Sequence, residues 1–269
     1  MAKPLRNIVV TGKSGAGKQP RIDVLVEAFG LTQLSTGNIF RAYLGAFKKV
    51  RDAVDAAAFY RGEGFAPDAE LQAALAPACA TAGIAPADAA LGLKAARYVD
   101  GGLFVPDDIT NELLASAFKA AGGAGLALDG YPRTPDQSRF LLELVREAGT
   151  GLDLILLVDN DDEAIVARTI GRRICPDKDC AKVYHLEFKP PRDGRFCKAC
   201  GAEVIHRSDD TEAKIRMRLS EFQAKAVPAI QVLKDAGVPM VVVPGNLPVF
   251  TDEAVRASVM DALAPVLEG

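Results

Sequence analysis

The sequence predicts an α/β fold, a doubly wound parallel five-stranded sheet with helices on both faces. Three observations carry this. Five short apolar runs, at residues 7–11, 32–34, 125–128, 154–158 and 238–243, mostly lack the alternation of a half-exposed strand, as expected of strands covered on both sides. Helix-like segments separate them, among them 107–121, 136–148 and 211–236, each long enough to return the chain for a parallel strand. The first run leads straight into a glycine-rich turn and then a helical pattern over 22–29. Ligands of such sheets bind at the carboxyl ends of the strands.

With 269 residues, 49% of them apolar and 25% charged, the chain can bury a sizeable core, which excludes a disordered tail or a collagen-like repeat. The length exceeds one average domain without reaching two, so one main domain with inserted lobes is expected. A net charge of −3 argues against a general nucleic-acid binder. No apolar stretch has the length a bilayer needs, and the first residues carry no secretory apolar region. The expectation is a cytoplasmic protein with neither nucleic-acid nor membrane partners.

The first strand ends in Thr11-Gly12-Lys13-Ser14-Gly15-Ala16-Gly17-Lys18. A glycine-rich turn between strand and helix aims backbone N–H groups at an anion; the helix N-terminus adds partial positive charge and Lys18 reaches the outer phosphates. Loops of this kind usually follow the lysine with Ser or Thr, whose hydroxyl helps hold Mg²⁺, whereas this one has Gln19 and Pro20. Pro20 is tolerated in a first helical turn but removes one potential donor to phosphate.

Two stretches interrupt the alternation. Residues 46–90 are dominated by Ala and punctuated by Pro67, Pro77 and Pro86, which predicts short helices broken at those prolines. They account for the surplus length and for much of the Ala excess. The lone Cys79 within them reads as a small buried residue. The second stretch, 171–207, holds Cys175, Cys180, Cys197 and Cys200 as two pairs separated by sixteen residues. Two thiolate pairs on turns suit tetrahedral zinc with every position filled by protein, hence a structural ion. Iron in the same thiolate set, two disulfides and four unlinked thiols are the alternatives. His185 and His206 are not needed as ligands.

Three further segments resemble one family. Leu34-Ser35-Thr36-Gly37-Asn38-Ile39-Phe40-Arg41 resembles the monophosphate-binding motif of adenylate kinases, and Leu128-Asp129-Gly130-Tyr131-Pro132-Arg133-Thr134 resembles their LDG(F/Y)PRT motif. Gly171-Arg172-Arg173, the cysteine stretch, Arg207-Ser208-Asp209-Asp210 and Arg216-Met217-Arg218-Leu219 are together similar to the long lid of that family. The resemblance covers nearly the whole chain in family order, apart from 46–90.

It implies a P-loop nucleotide kinase core at 1–34, 113–166 and 213–269, a helical AMP-binding lobe at 35–112 enlarged by the insertion, and a Cys₄ lid at 167–212. It also implies reversible phosphoryl transfer from MgATP to AMP, giving two ADP. The implied catalytic residues are Lys18, Arg133, Arg172, Arg207, Arg218 and Asp129, the last holding Mg²⁺ through water. ATP would meet Gly15, Ala16, Gly17, Lys18, Gln19, Arg168, Arg172 and Gly245. AMP would meet Thr36, Arg41, Val99, Val105, Gly130, Arg133, Gln137, Arg207 and Arg218. Asp209 and Asp210 would orient lid arginines. The family motif carries Asp where this chain has Asn38, a further departure beside Gln19 and Pro20. Slow turnover, altered metal dependence, a nucleotide-binding homologue without turnover and another monophosphate acceptor stay open at this level. The insertion is expected to form a helical appendage that tunes closure or contacts a partner.

Overall fold

The computed structural model describes residues 5–177, 180, 182–187, 189–207, 210–249 and 251–267. The chain begins β1 (Asn7–Thr11), α1 (Lys18–Phe29), β2 (Thr32–Ser35) and α2 (Thr36–Lys48). After 3₁₀ turns at Arg51–Ala53 and Ala56–Phe59 come the short strands β3 (Tyr60–Arg61) and β4 (Gly64–Phe65), then α3 (Asp68–Ala82), α4 (Pro86–Asp100) and α5 (Asp107–Ala120). Next are β5 (Leu126–Asp129), α6 (Pro135–Glu147), β6 (Leu154–Asp159), α7 (Asp162–Ile170), β7 (Arg172–Ile174) and β8 (Val183–His185). The chain closes with α8 (Glu212–Glu221), α9 (Val227–Asp235), β9 (Met240–Pro244) and α10 (Asp252–Leu267).

The five predicted strands pair in the order β2-β5-β1-β6-β9, all parallel. The alternate residues of β1 divide the core. Ile8 and Val10 pack with α1, α7, α8 and α10 on one face, while Val9 packs with α2, α5, α6 and α9 on the other. From β1 the first crossover runs to β2 on one side, whereas β6 and β9 lie on the other. The carboxyl end of β1 is therefore a switch point, and the glycine-rich turn follows it directly.

The insertion departs from the expected broken helices. Pro67 and Pro86 do mark helix starts, but Pro77 sits inside α3 without ending it. Pro77 and Ala73, the residue whose carbonyl loses its helical donor, are both on the exposed face, where water replaces the missing bond. The insertion also contains the β3–β4 hairpin, clasped by Arg97, which donates to the Gly64 (2.9 Å) and Gly62 (2.6 Å) carbonyls and lies 4.5 Å from the Tyr60 ring. Leu71, Leu75 and Cys79 of α3 are fully buried with Phe47, Ala89 and Leu93, a small core of its own. Lys94 fixes this unit to α5, pairing with Asp68 at 2.8 Å and Glu112 at 2.6 Å. Burial alone would lower its pKa, but the two carboxylates outweigh that and hold the ammonium above its ordinary value.

The segment predicted as one helix over 211–236 is helical throughout, with a π-helical stretch at Phe222–Ala226 that precedes Pro228 and absorbs its missing donor. Among the described residues no single helix is long and apolar enough to cross a membrane; α3 and α4 are so only as a pair bent by 113°.

Close packing of α2 on α4 depends on Gly92, whose added Cβ would collide with the Tyr43 carbonyl and the Phe47 side chain. Gly92→Ala is expected to lower stability by about 1–3 kcal/mol through overpacking. Gly45→Ala, with nothing within 4 Å of the new methyl, should instead be neutral or raise it by up to about 1 kcal/mol. Urea denaturation midpoints of the two variants check the pair.

Candidate functional site

The turn after β1 is built by glycines that no other residue could replace. Gly12 (φ 143°) runs against the Val158 carbonyl of β6, and Gly17 (φ 101°) caps α1 in the left-handed region, with the Gly245 carbonyl 3.0 Å from where a Cβ would stand. Gly15 (φ 87°) abuts Thr169 and Ile165 of α7, and Ala16 is buried. Gly245 in turn has no room for a side chain beside the Ala16 carbonyl. Pro20 falls in the first turn of α1, where its N–H is not required.

Lys18 leads α1 and curls back over the turn, donating to the carbonyls of Gly12 (2.8 Å) and Lys13 (3.2 Å). Burial lowers its pKa, Asp129 opposes that shift, and Arg133 adds to it. Lys18, Asp129 and Arg133 thus share one electrostatic neighbourhood at the ends of β1 and β5.

Asp129 ends β5, and Gly130 (φ 77°) turns the chain sharply, with Thr36 and Arg133 occupying the space a side chain would take. The Tyr131–Pro132 peptide is cis. Thr36 donates its hydroxyl to the Asp129 carbonyl at 2.9 Å, joining the start of α2 to the end of β5. Arg133 is aimed by its Nε, which donates to the Gly130 carbonyl at 2.8 Å, and by its backbone N–H, which donates to Gln137 Oε1 at 2.8 Å. Gln137 Nε2 donates to Asp107 Oδ1 (2.7 Å), and Thr134, the N-cap of α6, donates to Asp107 Oδ2 (2.5 Å). Burial and the nearby Asp107 push the Tyr131 phenol up, so it stays a donor, to Asn111 Oδ1.

The departures at Gln19 and Asn38 have visible consequences. Gln19 and Gln33 exchange amide hydrogen bonds (3.0 and 3.1 Å), Gln33 donates onward to Asp129 Oδ2 (3.1 Å), and Gln19 also donates to Asp23 Oδ1 (2.8 Å). Where a hydroxyl is usual, an amide relay steadies the Asp129 carboxylate. Asn38 accepts from Arg41 Nη2 at 2.5 Å, so its neutral oxygen positions the arginine.

On the other side, Arg168 of α7 donates to the Gly245 carbonyl at 3.4 Å, and burial together with neighbouring Arg172 lowers its pKa. Arg172 forms a two-pronged pair with Asp210 (2.9 and 2.6 Å), a carboxylate 1% exposed. Arg207 is exposed and Arg218 half-buried on α8. Asp209 lies outside the described residues. Val105 packs against the core beside Ile39, whereas Val99 is exposed at the end of α4.

The reading from sequence missed Arg21, Gln33 and Asp107. Arg21 could have been suspected from a charged residue on the same helical face as Ile22 and Leu25, and Asp107 from an acidic first turn facing the motif of residue 137.

The four lid cysteines form a separate centre. Their sulfurs all lie within 4.8 Å of one another; Cys175 and Cys200 are 3.3 Å apart, Cys180 and Cys197 3.6 Å. These separations are too long for disulfides, and all four thiols are free. They approach the sulfur spacing of about 3.8 Å that tetrahedral zinc–thiolate bonds of about 2.3 Å require. Tyr184 donates to the Cys197 sulfur, and that bond, aided by the Cys200 backbone N–H, pulls the Cys197 thiol down to about 6, which favours the ligating thiolate. The donor set and spacing fit a zinc ion. His185 packs under Gly171, apart from this set.

A family model described as adenylate kinase matches residues 84–238. The adenylate kinase of Symbiobacterium thermophilum is 34% identical over 258 residues, covering 94% of this chain and 99% of its own length. That of Bacillus licheniformis is 32% identical over 232 residues, covering 86% and 87%. The adenylate kinase of Acholeplasma laidlawii is 30% identical over 257 residues, covering 95% and 97%.

Removing metal with a chelator is expected to lower the melting temperature, and zinc should restore it with one ion per chain. Cys197→Ser should abolish that restoration. Differential scanning calorimetry with metal analysis checks both.

Proposed function

We propose, from the premise that the chain belongs to the adenylate kinase family, that its cleft binds MgATP along the glycine-rich turn and AMP beside Arg133, and passes the terminal phosphoryl group between them. Family membership makes it a phosphotransferase, a nucleoside monophosphate kinase acting between ATP and AMP. The observation that carries the finer reading is the convergence of Lys18, Asp129 and Arg133 at adjacent strand ends, the two cations held by backbone carbonyls and the carboxylate by Gln33.

In this reading Gly15, Ala16, Gly17, Lys18 and Gln19 receive the triphosphate, Arg168 and Gly245 border its nucleoside, and Arg172 closes from the lid. Thr36, Gly130, Gln137, Val99 and Val105 form the AMP base pocket, and Arg41 and Arg133 grip its phosphate, with Arg207 and Arg218 joining on closure. The lobes that move are residues 35–112 and 167–212. The acceptor is a phosphate, largely ionised near neutrality because its second pKa is about 6, so no general base is needed. The protein's task is to hold two anions in line and neutralise the charge that develops. Mg²⁺ arriving with the triphosphate supplies part of that neutralisation, and Asp129, steadied by Gln33 and Gln19, would hold it through water. Cys175, Cys180, Cys197 and Cys200 would hold a structural zinc ion that replaces the apolar core a lid of short turns lacks. Closure of both lobes excludes water, which would otherwise accept the phosphoryl group.

The chain's own departures favour a second reading, slow turnover with altered metal dependence, because Gln19 offers an amide and Pro20 no donor where a hydroxyl is usual, and Asn38 is engaged by Arg41. A coupled assay of ADP formation from ATP with a panel of monophosphates separates the readings. AMP-dependent ADP formation is expected, and its absence in folded, zinc-loaded protein would sink the enzyme assignment for this cleft. Arg133→Ala should lower kcat by about 10²–10³-fold without unfolding the chain.

A pH effect follows from Lys18. Its charged form binds phosphate, and its pKa lies below the ordinary 10.5. Activity is present below that lowered pKa and lost as pH rises through it. The alkaline limb of kcat/KM for ATP should therefore fall at a lower pH than an ordinary lysine would give, whereas in kcat, with phosphate bound, the limb moves up again.

A further inference from the structure

Arg21 is the largest side chain without exposed surface among the described residues. It lies one turn into α1, three residues after Lys18, on the face that also buries Ile22 and Leu25. Its guanidinium runs back behind the glycine-rich turn, where Nη2 donates to the Pro244 carbonyl at 2.5 Å and Nη1 to the Gly17 carbonyl at 3.3 Å. The fork therefore joins the start of α1 to the end of β9. Arg168 reaches the same place from α7: a Cβ on Gly17 would stand 3.1 Å from Arg168 Nη1 and 3.3 Å from Arg21 Nη1.

Two guanidinium groups so near one another, one of them fully buried, make a costly way to fill space. A leucine or methionine would fill it without the desolvation penalty. Burial and the repulsion from Arg168 lower the Arg21 pKa to about 10, which still leaves it charged at neutral pH. In a trans peptide the C=O and N–H point in opposite directions, so a group that grips the Gly17 carbonyl from behind turns the Lys18 N–H toward the mouth of the loop.

We propose that Arg21 is a positioning residue for the triphosphate: from behind the loop it fixes the Gly17–Lys18 peptide with its N–H toward the phosphates, and it sets a buried positive charge beside Arg168 at the back of the loop. This rests on the reading of the loop as the ATP site. The residue belongs to the donor side of the cleft, since its fork reaches the Gly17 and Pro244 carbonyls beside the glycine-rich turn. Its removal should weaken one substrate and spare the other.

The test is calorimetric titration of wild type, Arg21→Gln and Arg21→Lys with ATP, with inorganic tripolyphosphate and, separately, with AMP. Arg21→Gln removes charge and fork and should raise the Kd for ATP and tripolyphosphate by roughly tenfold or more, with AMP affinity within about twofold of wild type. Arg21→Lys keeps the charge but cannot span both carbonyls, and should show a smaller loss of about two- to fivefold on the same side. Unchanged ATP affinity in either folded variant overturns the proposal, as does an equal loss of ATP and AMP, which would mark a purely structural role. Should Arg21→Gln fail to fold, the same criteria apply to Arg21→Lys. If wild type itself binds no ATP, the reading of the loop fails, an outcome distinct from variants that bind like wild type.

Discussion

Four of the cations at the carboxyl ends of the sheet are held in this protein by main-chain carbonyls, whereas Lys13 pairs with Asp162. Lys18 donates to Gly12 and Lys13, Arg133 to Gly130, Arg168 to Gly245, and Arg21 to Gly17 and Pro244. A carbonyl orients a cation without cancelling its charge, so these bonds aim positive charge toward the cleft. Farther out the partners are carboxylates: Arg172 pairs with Asp210, and Arg216 with Glu163 and Glu212. These carboxylate pairs join β7 to Asp210 and α7 to α8.

The carbonyls can serve this way only because the backbone comes so close. Gly12 beneath Val158 and Gly245 against Ala16 bring β1, β6 and β9 within contact of one turn, and a methyl at either site would push them apart. The parallel order, with β1 flanked by β5 and β6, then sets Asp129 and Lys18 at neighbouring strand ends. Fold, glycine placement and charge are thus one constraint viewed at three scales. Two small clusters stand apart from the sheet's core: Cys175, Tyr184, Cys197 and Val204 in the cysteine stretch, and one around Leu71, Leu75 and Leu93 in the insertion.

Much of this was legible in the sequence. Continuous apolar runs marked β1, β5 and β6, because a strand buried on both faces needs no alternation, and the glycine spacing marked the turn; the edge strands β2 and β9 are only partly buried. The segment from Leu128 to Thr134 could be placed at a strand end because Gly130 and Pro132 stop the strand. Other features depend on what meets in space. Pro77 continues a helix because its exposed face lets water take the lost bond, which local sequence does not encode. The hairpin at Tyr60–Phe65 is too short for any periodicity and exists because Arg97, over thirty residues later, clasps it. The relay from Gln19 through Gln33 to Asp129 crosses three elements, and Arg21 sounds like a surface residue until β9 is laid beside it.

The central claim is that one cleft holds a triphosphate on the Lys18 side and a monophosphate on the Arg133 side at the same time. Titration with a bisubstrate analogue, two adenosines joined through a polyphosphate bridge, measures this most directly. One analogue per chain, displaced competitively by both ATP and AMP, is the predicted result. An analogue displaced by ATP alone, or bound at two equivalents per chain, would contradict it.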